Sequence, residues 1–248
     1  MRLRVISFIV KHRLASLLGN IIFPLFDRLR IRHAILKGFP LPLPEIGIHK
    51  GGIVISAGEG LMSFERWRLI QSSLPKNCRT AIDIGSNNGF FTLRLANEGI
   101  FAIGFEPDTE LLQLAVVAAC RNQEKLVAFS SLAITPDNVC SLPSVDITLM
   151  LSVAQRWVHQ YGRDGMEKII KEIWSKTERT MFFEIPNPVQ STKESKWLDF
   201  LGETEEKVEE SIEYLLRDIG AEKIELLGYL PTDFRPDEKR HLFVVHKQ

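Results

Sequence analysis

From residue 79 onward, short runs rich in Val, Ile, Phe and Thr recur at 80–84, 101–105, 126–130, 146–151 and 180–185. Stretches of helical character separate most of them. The first, 89–97, stops at Gly99, and the second covers 109–121. After the fourth run, Met166, Ile169, Ile170, Ile173 and Trp174 fall at i, i+3, i+4, i+7 and i+8, the buried stripe of a helix. Residues 135–144 carry Pro136 and Pro143 and little periodicity, so the crossover there holds a short helix or none. Strands alternating with helices predict a parallel sheet covered on both faces.

The pattern changes at the C-terminal end. A helix at 204–219 has acids in its first turn and Gly220 after its last. Strand-like runs at 223–230 and 241–246 follow with no helical stretch between them, only a Pro- and charge-rich loop, so they are expected to pair antiparallel at the sheet edge. Arg235, Lys239 and Arg240 read as part of that solvated loop. Toward the N-terminus a helix is expected from Ser63 to Pro75. The glycines at 51, 52, 58 and 60 suggest loop, and the Pro-alternating segment 39–44 reads as an extended linker. Residues 1–37 mix Leu14, Leu17, Leu18, Ile21, Ile22 and Leu25 with basic residues, as one or two amphipathic helices interrupted near Gly19 and Pro24 would. The expected division is an arm and linker over 1–60 and an α/β domain over 61–248.

Composition narrows the function classes. Lysines plus arginines equal aspartates plus glutamates at 31 each, so the molecule as a whole has no electrostatic bias toward nucleic acid or acidic lipid. The basic residues are concentrated in 1–37, which holds eight Lys/Arg against Asp27 alone. Cys78, Cys120 and Cys140 form no CxxC pair, which argues against a disulfide framework or zinc site and for a reducing, cytoplasmic setting. The apolar run 5–10 is too short for a signal peptide and is followed by Lys11, His12 and Arg13. No apolar stretch approaches the roughly 20 residues needed to cross a bilayer.

Two strand ends carry the candidate chemistry. The run Ala81-Ile82-Asp83-Ile84-Gly85-Ser86-Asn87-Asn88-Gly89-Phe90 closes the first strand and opens a helix, with glycines where the backbone must turn and approach a ligand. The second strand ends in Glu106-Pro107-Asp108, where an acid is placed to accept hydrogen bonds from both hydroxyls of a ribose. The first loop lacks the third glycine of a dinucleotide fingerprint, and Asp83 inside the turn suits a cationic amino-acid ligand better than a diphosphate.

The run from Asp83 to Asp108 resembles the first two motifs of class I S-adenosylmethionine-dependent methyltransferases. The resemblance implies a Rossmann-like α/β fold: a mostly parallel seven-stranded sheet closed by a C-terminal antiparallel hairpin, with S-adenosylmethionine as cofactor. It also implies that Asp83, Gly85, Ser86, Asn87 and Gly89 shape the methionine end of the pocket, that Phe90 lines it, and that Glu106 and Pro107 hold the ribose side. Leu151 would close the pocket from the fourth strand. Many members have glycine where this chain has Asn87, and an acid after the third strand where this chain has Ser130-Ser131-Leu132, so Ser131 or a backbone group would serve the adenine. No metal is expected.

The segment after the fourth strand should face the acceptor, because ligands bind beyond the carboxyl ends of strands in open α/β sheets. It lacks the Asn-Pro-Pro-Tyr run of amino-directed enzymes and the strand-end acid of metal-dependent catechol enzymes. It offers Arg156, His159 and Tyr161. A hydroxyl acceptor would use His159 as a base near neutral pKa, whereas a phosphate acceptor would need positioning by Arg156 or Arg163. Glu184, ending the fifth strand, would orient His159 or bind acceptor hydroxyls. Leu151-Ser152-Val153, Val158-His159 and Gly162 to Gly165 are similar to bacterial methyltransferases that act on lipopolysaccharide O-antigen chains and cap them at a terminal sugar phosphate. Trp157-Val158-His159 and Phe183-Glu184-Ile185-Pro186 also resemble enzymes that methylate the 5′ phosphate of small RNAs. The first resemblance implies a glycan or lipid-linked glycan substrate, with residues 1–37 lying on an anionic membrane from the cytoplasmic side. The second makes the same arm a ligand for RNA phosphates, less favoured because no RNP-type motif is present. A third reading keeps the fold as a non-catalytic scaffold.

Overall fold

The computed structural model describes residues 46–49, 52–55, 61–190, 195–232 and 235–247. The amphipathic arm at 1–37 and the linker at 39–44 lie outside them. The first described elements are two short strands, β1 (Ile46–His49) and β2 (Gly52–Ile55), paired antiparallel. The expectation of loop is thereby corrected at Gly52, where the following Ile and Val residues favour strand, while Gly51, Gly58 and Gly60 lie outside the described residues.

The remaining elements run α1 (Leu61–Ser72), β3 (Thr80–Ile84), α2 (Phe90–Asn97), β4 (Phe101–Phe105), α3 (Thr109–Arg121), β5 (Val127–Ser130), β6 (Val145–Leu151), α4 (Ala154–Lys176), β7 (Thr177–Pro186), α5 (Glu205–Asp218), β8 (Lys223–Thr232) and β9 (Arg235–His246). The β5–β6 crossover holds only a 3₁₀ turn at Val139–Ser141, as its prolines require. A longer 3₁₀ segment, Ser195–Leu201, lies between β7 and α5.

One seven-stranded sheet results, in the order β5-β4-β3-β6-β7-β9-β8. The pairs from β5 to β7 are parallel, and β9 joins β7 and β8 antiparallel. Chain order reverses between β3 and β6, and that switch point opens a crevice at the carboxyl ends of the strands.

Alternation along each strand divides the core between two faces. Ile82, Ile84, Met150, Phe183, Phe243 and Val245 pack with Ile169, Ile170 and Ile173 of α4 and Ile212 and Leu216 of α5. Ala81, Leu149, Leu151, Phe182, Leu242 and Val244 pack with Trp67 and Ile70 of α1 and Phe90, Phe91 and Leu95 of α2. Helix starts follow local chemistry: Asp108 caps α3 by accepting from Glu110 and Leu111 N–H, and Thr204 caps α5 at Lys207 N–H.

Two boundaries differ from expectation. The charged stretch at 235–240 is the first half of β9, with Arg240 only 5% exposed. The hairpin loop is therefore shorter than its composition suggests. The segment after β6 is helical from Ala154, and α4 breaks at Gly162 (φ 70°, ψ −179°) into a two-turn piece and a longer one. The second piece carries the Met166–Trp174 stripe down the sheet.

Candidate active site

The turn after β3 is fixed by the backbone. Gly85 (φ 74°) and Ser86 both donate their N–H to the Phe105 carbonyl, at 2.8 and 3.0 Å, stitching the turn to the end of β4. A Cβ on Gly85 would lie 2.4 Å from the Val153 side chain, so this position requires glycine for space as well as for φ. Asn87 takes a left-handed φ of 52°, which asparagine tolerates better than most residues, and its Oδ1 accepts the Asn88 N–H at 2.8 Å. Gly89 (φ 78°) stands at the head of α2. Asp83 is buried beneath this turn and accepts the Thr92 hydroxyl at 2.6 Å.

Glu106 faces the turn from the end of β4. Its two carboxylate oxygens accept the Asn87 and Asp108 N–H groups, each at 2.9 Å. An ionised carboxylate has about four lone-pair sites, so each oxygen keeps capacity for one more donor. That matches the two hydroxyls of a ribose. Burial raises the Glu106 pKa. The two N–H donors and the Arg156 charge act in the opposite direction, and Asp108 adds a smaller upward push. Ser86 Oγ is buried in the same turn without a hydrogen-bond partner. The turn thus joins a free acceptor capacity at Glu106 to a buried, unused hydroxyl, and these groups fit an adenosine-bearing ligand.

The other residues expected on this side are placed differently from one another. Phe90 is fully buried, packed edge-on against Phe64 and Phe91 with ring centres 5.2 and 5.0 Å apart. It shapes the wall from within the core. Leu151 is buried at the end of β6, while Pro107 and Ser131 are exposed at the ends of β4 and β5.

The residues expected on the acceptor side form two groups. Arg156, His159 and Tyr161 lie on the short first piece of α4, all exposed. His159 stacks on Trp197 of the Ser195–Leu201 segment, with ring centres 3.9 Å apart and planes 9° from parallel. Arg163 is held by Glu167 at 2.6 Å and lies over the Phe200 ring. Glu184 is fully buried, and no hydrogen bond joins it to His159.

Glu184 instead accepts from Arg66 Nη1 of α1 at 3.1 and 3.3 Å and from the Ser152 hydroxyl, with Arg240 of β9 at 3.9 Å. Burying such a carboxylate is tolerated only where guanidinium groups and hydrogen bonds replace its water. Arg66 does not stand out in the sequence, and Arg240 reads there as a solvated loop residue that could at most reach an anionic acceptor, yet both leave a signal there. Ser63, Arg66, Trp67 and Ile70 share one buried helix face, and Arg240, Leu242 and Val244 share one strand face. A charge in register with an apolar stripe marks a buried partner. His241, on the opposite face of β9, is buried against Tyr229 and Phe243. Burial lowers its pKa to about 4, with Glu205 pulling weakly upward, so its ring is neutral near pH 7.

Strand order, the switch-point crevice and the acid after the second strand of the sheet define the class I methyltransferase fold. Solved structures agree at the level of fold. WbdD matches with a TM-score of 0.58 and 19% identity over 73% of this chain and 38% of its own; another of its structures describes it as a bifunctional kinase-methyltransferase. Magnesium protoporphyrin IX methyltransferase from Synechocystis PCC 6803, solved with bound SAH, matches with a TM-score of 0.52 and 17% identity over 75% of this chain and 80% of its own. EvdMO1 matches with a TM-score of 0.53 and 15% identity over 88% and 47%. The chain thus spans less than half of the WbdD chains it matches. No family model and no curated protein sequence matches it. Among the described residues no helix is long and apolar enough to cross a membrane.

Proposed function

We propose that this chain is an S-adenosylmethionine-dependent O-methyltransferase acting on a hydroxyl or terminal phosphate of a bacterial cell-surface glycan of the lipopolysaccharide O-antigen type. The observation that carries the reading is the Glu106 carboxylate, pinned by two backbone N–H groups across from the Gly85–Gly89 turn with acceptor capacity left over. When bound, the cofactor supplies a methyl group activated on a sulfonium sulfur. Glu106 holds the ribose hydroxyls, and Asp83 and the turn hold the amino-acid end.

Methyl transfer needs alignment above all. Arg156 and Tyr161 position the acceptor from the first piece of α4. His159, stacked on Trp197, takes the proton of a hydroxyl acceptor. The glycan class is supported by the resemblance of Leu151-Ser152-Val153, Val158-His159 and Gly162 to Gly165 to lipopolysaccharide-directed methyltransferases, and by the basic arm at 1–37, which we assign to an anionic membrane surface on the cytoplasmic side.

Labelled methyl transfer tests the reading. Wild type should transfer methyl from S-adenosylmethionine to lipid-linked or phosphorylated glycan acceptors and not to RNA bearing a 5′ monophosphate, and Glu106→Ala should lose the transfer. Transfer to RNA alone would replace the glycan by RNA. Cofactor binding with no transfer to either would leave a scaffold.

A further inference from the structure

The residue that ends β6 is bent out of the ordinary range of conformations. Ser152 has φ 59°, a left-handed value that costs energy for a residue with a side chain, and it lies where this fold receives its acceptor. Three interactions hold it there. Its N–H donates to the Glu184 carbonyl at 2.8 Å, its hydroxyl donates to the Glu184 carboxylate, and its carbonyl accepts Gln155 Nε2 at 2.7 Å. The serine has one proton, and Glu184 receives it. Only lone pairs remain on Ser152 Oγ.

Gln155 repeats this condition. Its side chain is 3% exposed, and Nε2 faces the Ser152 carbonyl. That contact fixes the amide, because a half-turn would set oxygen against oxygen. Gln155 Oε1 then has no hydrogen-bond partner. A buried acceptor left without a donor is costly, so such an atom calls for a donor from elsewhere.

We propose that the Ser152–Gln155 turn selects a hydroxyl as the acceptor group: it offers two oxygen acceptors, Ser152 Oγ and Gln155 Oε1, with their nearby protons already committed. A sugar carries adjacent hydroxyls, so two of them bring one donor to each of these oxygens while the neighbouring hydroxyl that reacts gives its proton to His159. An ionised phosphate oxygen brings none. The inference rests on the methyltransferase reading of the same site and narrows its acceptor from hydroxyl or phosphate to hydroxyl.

The test follows the Gln155 side-chain amide by NMR in ¹⁵N-labelled protein saturated with S-adenosylhomocysteine. Glycerol serves as the hydroxyl probe and methyl phosphate, at a pH where it is the proton-free dianion, as the anion probe. Glycerol should shift the Gln155 amide signals saturably and methyl phosphate should not. Gln155→Leu should weaken glycerol binding about tenfold, with the affinity for S-adenosylhomocysteine changed less than twofold. A saturable response to methyl phosphate, or to neither probe, would overturn the proposal. So would a tenfold loss of S-adenosylhomocysteine affinity in Gln155→Leu, which would give the cofactor's ammonium to Oε1. Failure of wild type to bind S-adenosylhomocysteine at all would instead bring down the methyltransferase reading beneath it.

Discussion

The two halves of the crevice are built by different means. On the cofactor side, the ends of β3 and β4 are set by the backbone: left-handed residues at Gly85, Asn87 and Gly89, N–H groups on the Phe105 carbonyl, and N–H groups on Glu106. All of it comes from residues 83–108. On the proposed acceptor side, the left-handed Ser152 ties the end of β6 to β7 through its N–H. The carboxylate at the centre of that side is set by side chains from distant segments. Arg66 reaches Glu184 across 118 positions of sequence, with Ser152 and Arg240 completing the contact. The first half is a local motif, whereas the second exists only once α1, β7 and β9 have assembled. A cofactor shared by many enzymes suits the first, and an acceptor particular to one enzyme suits the second.

The largest effect should come from breaking the assembled half. Glu184→Ala leaves two buried guanidinium groups around an empty place, and denaturant unfolding should show a loss of about 3–5 kcal/mol. If the variant unfolds like wild type, the ion cluster does not hold α1 to the sheet. The local half should respond less in stability. Gly85→Ala adds a Cβ at positive φ and against Val153, which should cost roughly 2–4 kcal/mol. Cofactor binding should fail even where the fold survives.

A third test concerns acid. His241 stays neutral in the folded chain down to about pH 4, because burial lowers its pKa. In the unfolded chain it takes up a proton below about pH 6.5. Its contribution is therefore whole above pH 6.5 and is lost as pH falls toward 4, by about 3 kcal/mol in all. The stability of His241→Leu should be flatter than wild type across that window. Equal slopes would show that the ring is not kept neutral.

The smallest structural effect belongs to His159. Phenylalanine can keep the stack on Trp197, so His159→Phe should change stability by less than about 0.5 kcal/mol. Transfer to a hydroxyl acceptor should nevertheless fall by about 10²–10⁴-fold if His159 takes the proton. Unchanged turnover would remove it from the chemistry.

The same contrast explains what could be read in advance. The strands at 80–84 and 101–105 and the helix at 109–121 match the structure residue for residue, because alternation, capping and glycine stops are local signals. Glu106 was legible for the same reason. Glu184 was noticed as a strand-end acid, but its partners were not, since nothing local pairs position 184 with position 66. The charged stretch before Arg240 has the composition of a loop, while its pairing to β7 and β8 is decided by the sheet. The two-piece α4 depends on Gly162, whose neighbours gave a weak helical pattern, so the exposed Arg156, His159 and Tyr161 were placed near the crevice without being assigned to a helix.

The account stands on Glu106, and calorimetric titration with S-adenosylmethionine tests it most directly. Wild type should bind with micromolar affinity, and Glu106→Ala should lose most of that affinity while keeping its fold. Binding by wild type should also weaken on acidification from a higher pH than an ordinary glutamate would give, because burial raises the pKa of this carboxyl group and protonation removes its acceptor capacity. A well-folded wild type that binds no S-adenosylmethionine, or a Glu106→Ala variant that binds it equally well, would contradict the assignment of this crevice to the cofactor.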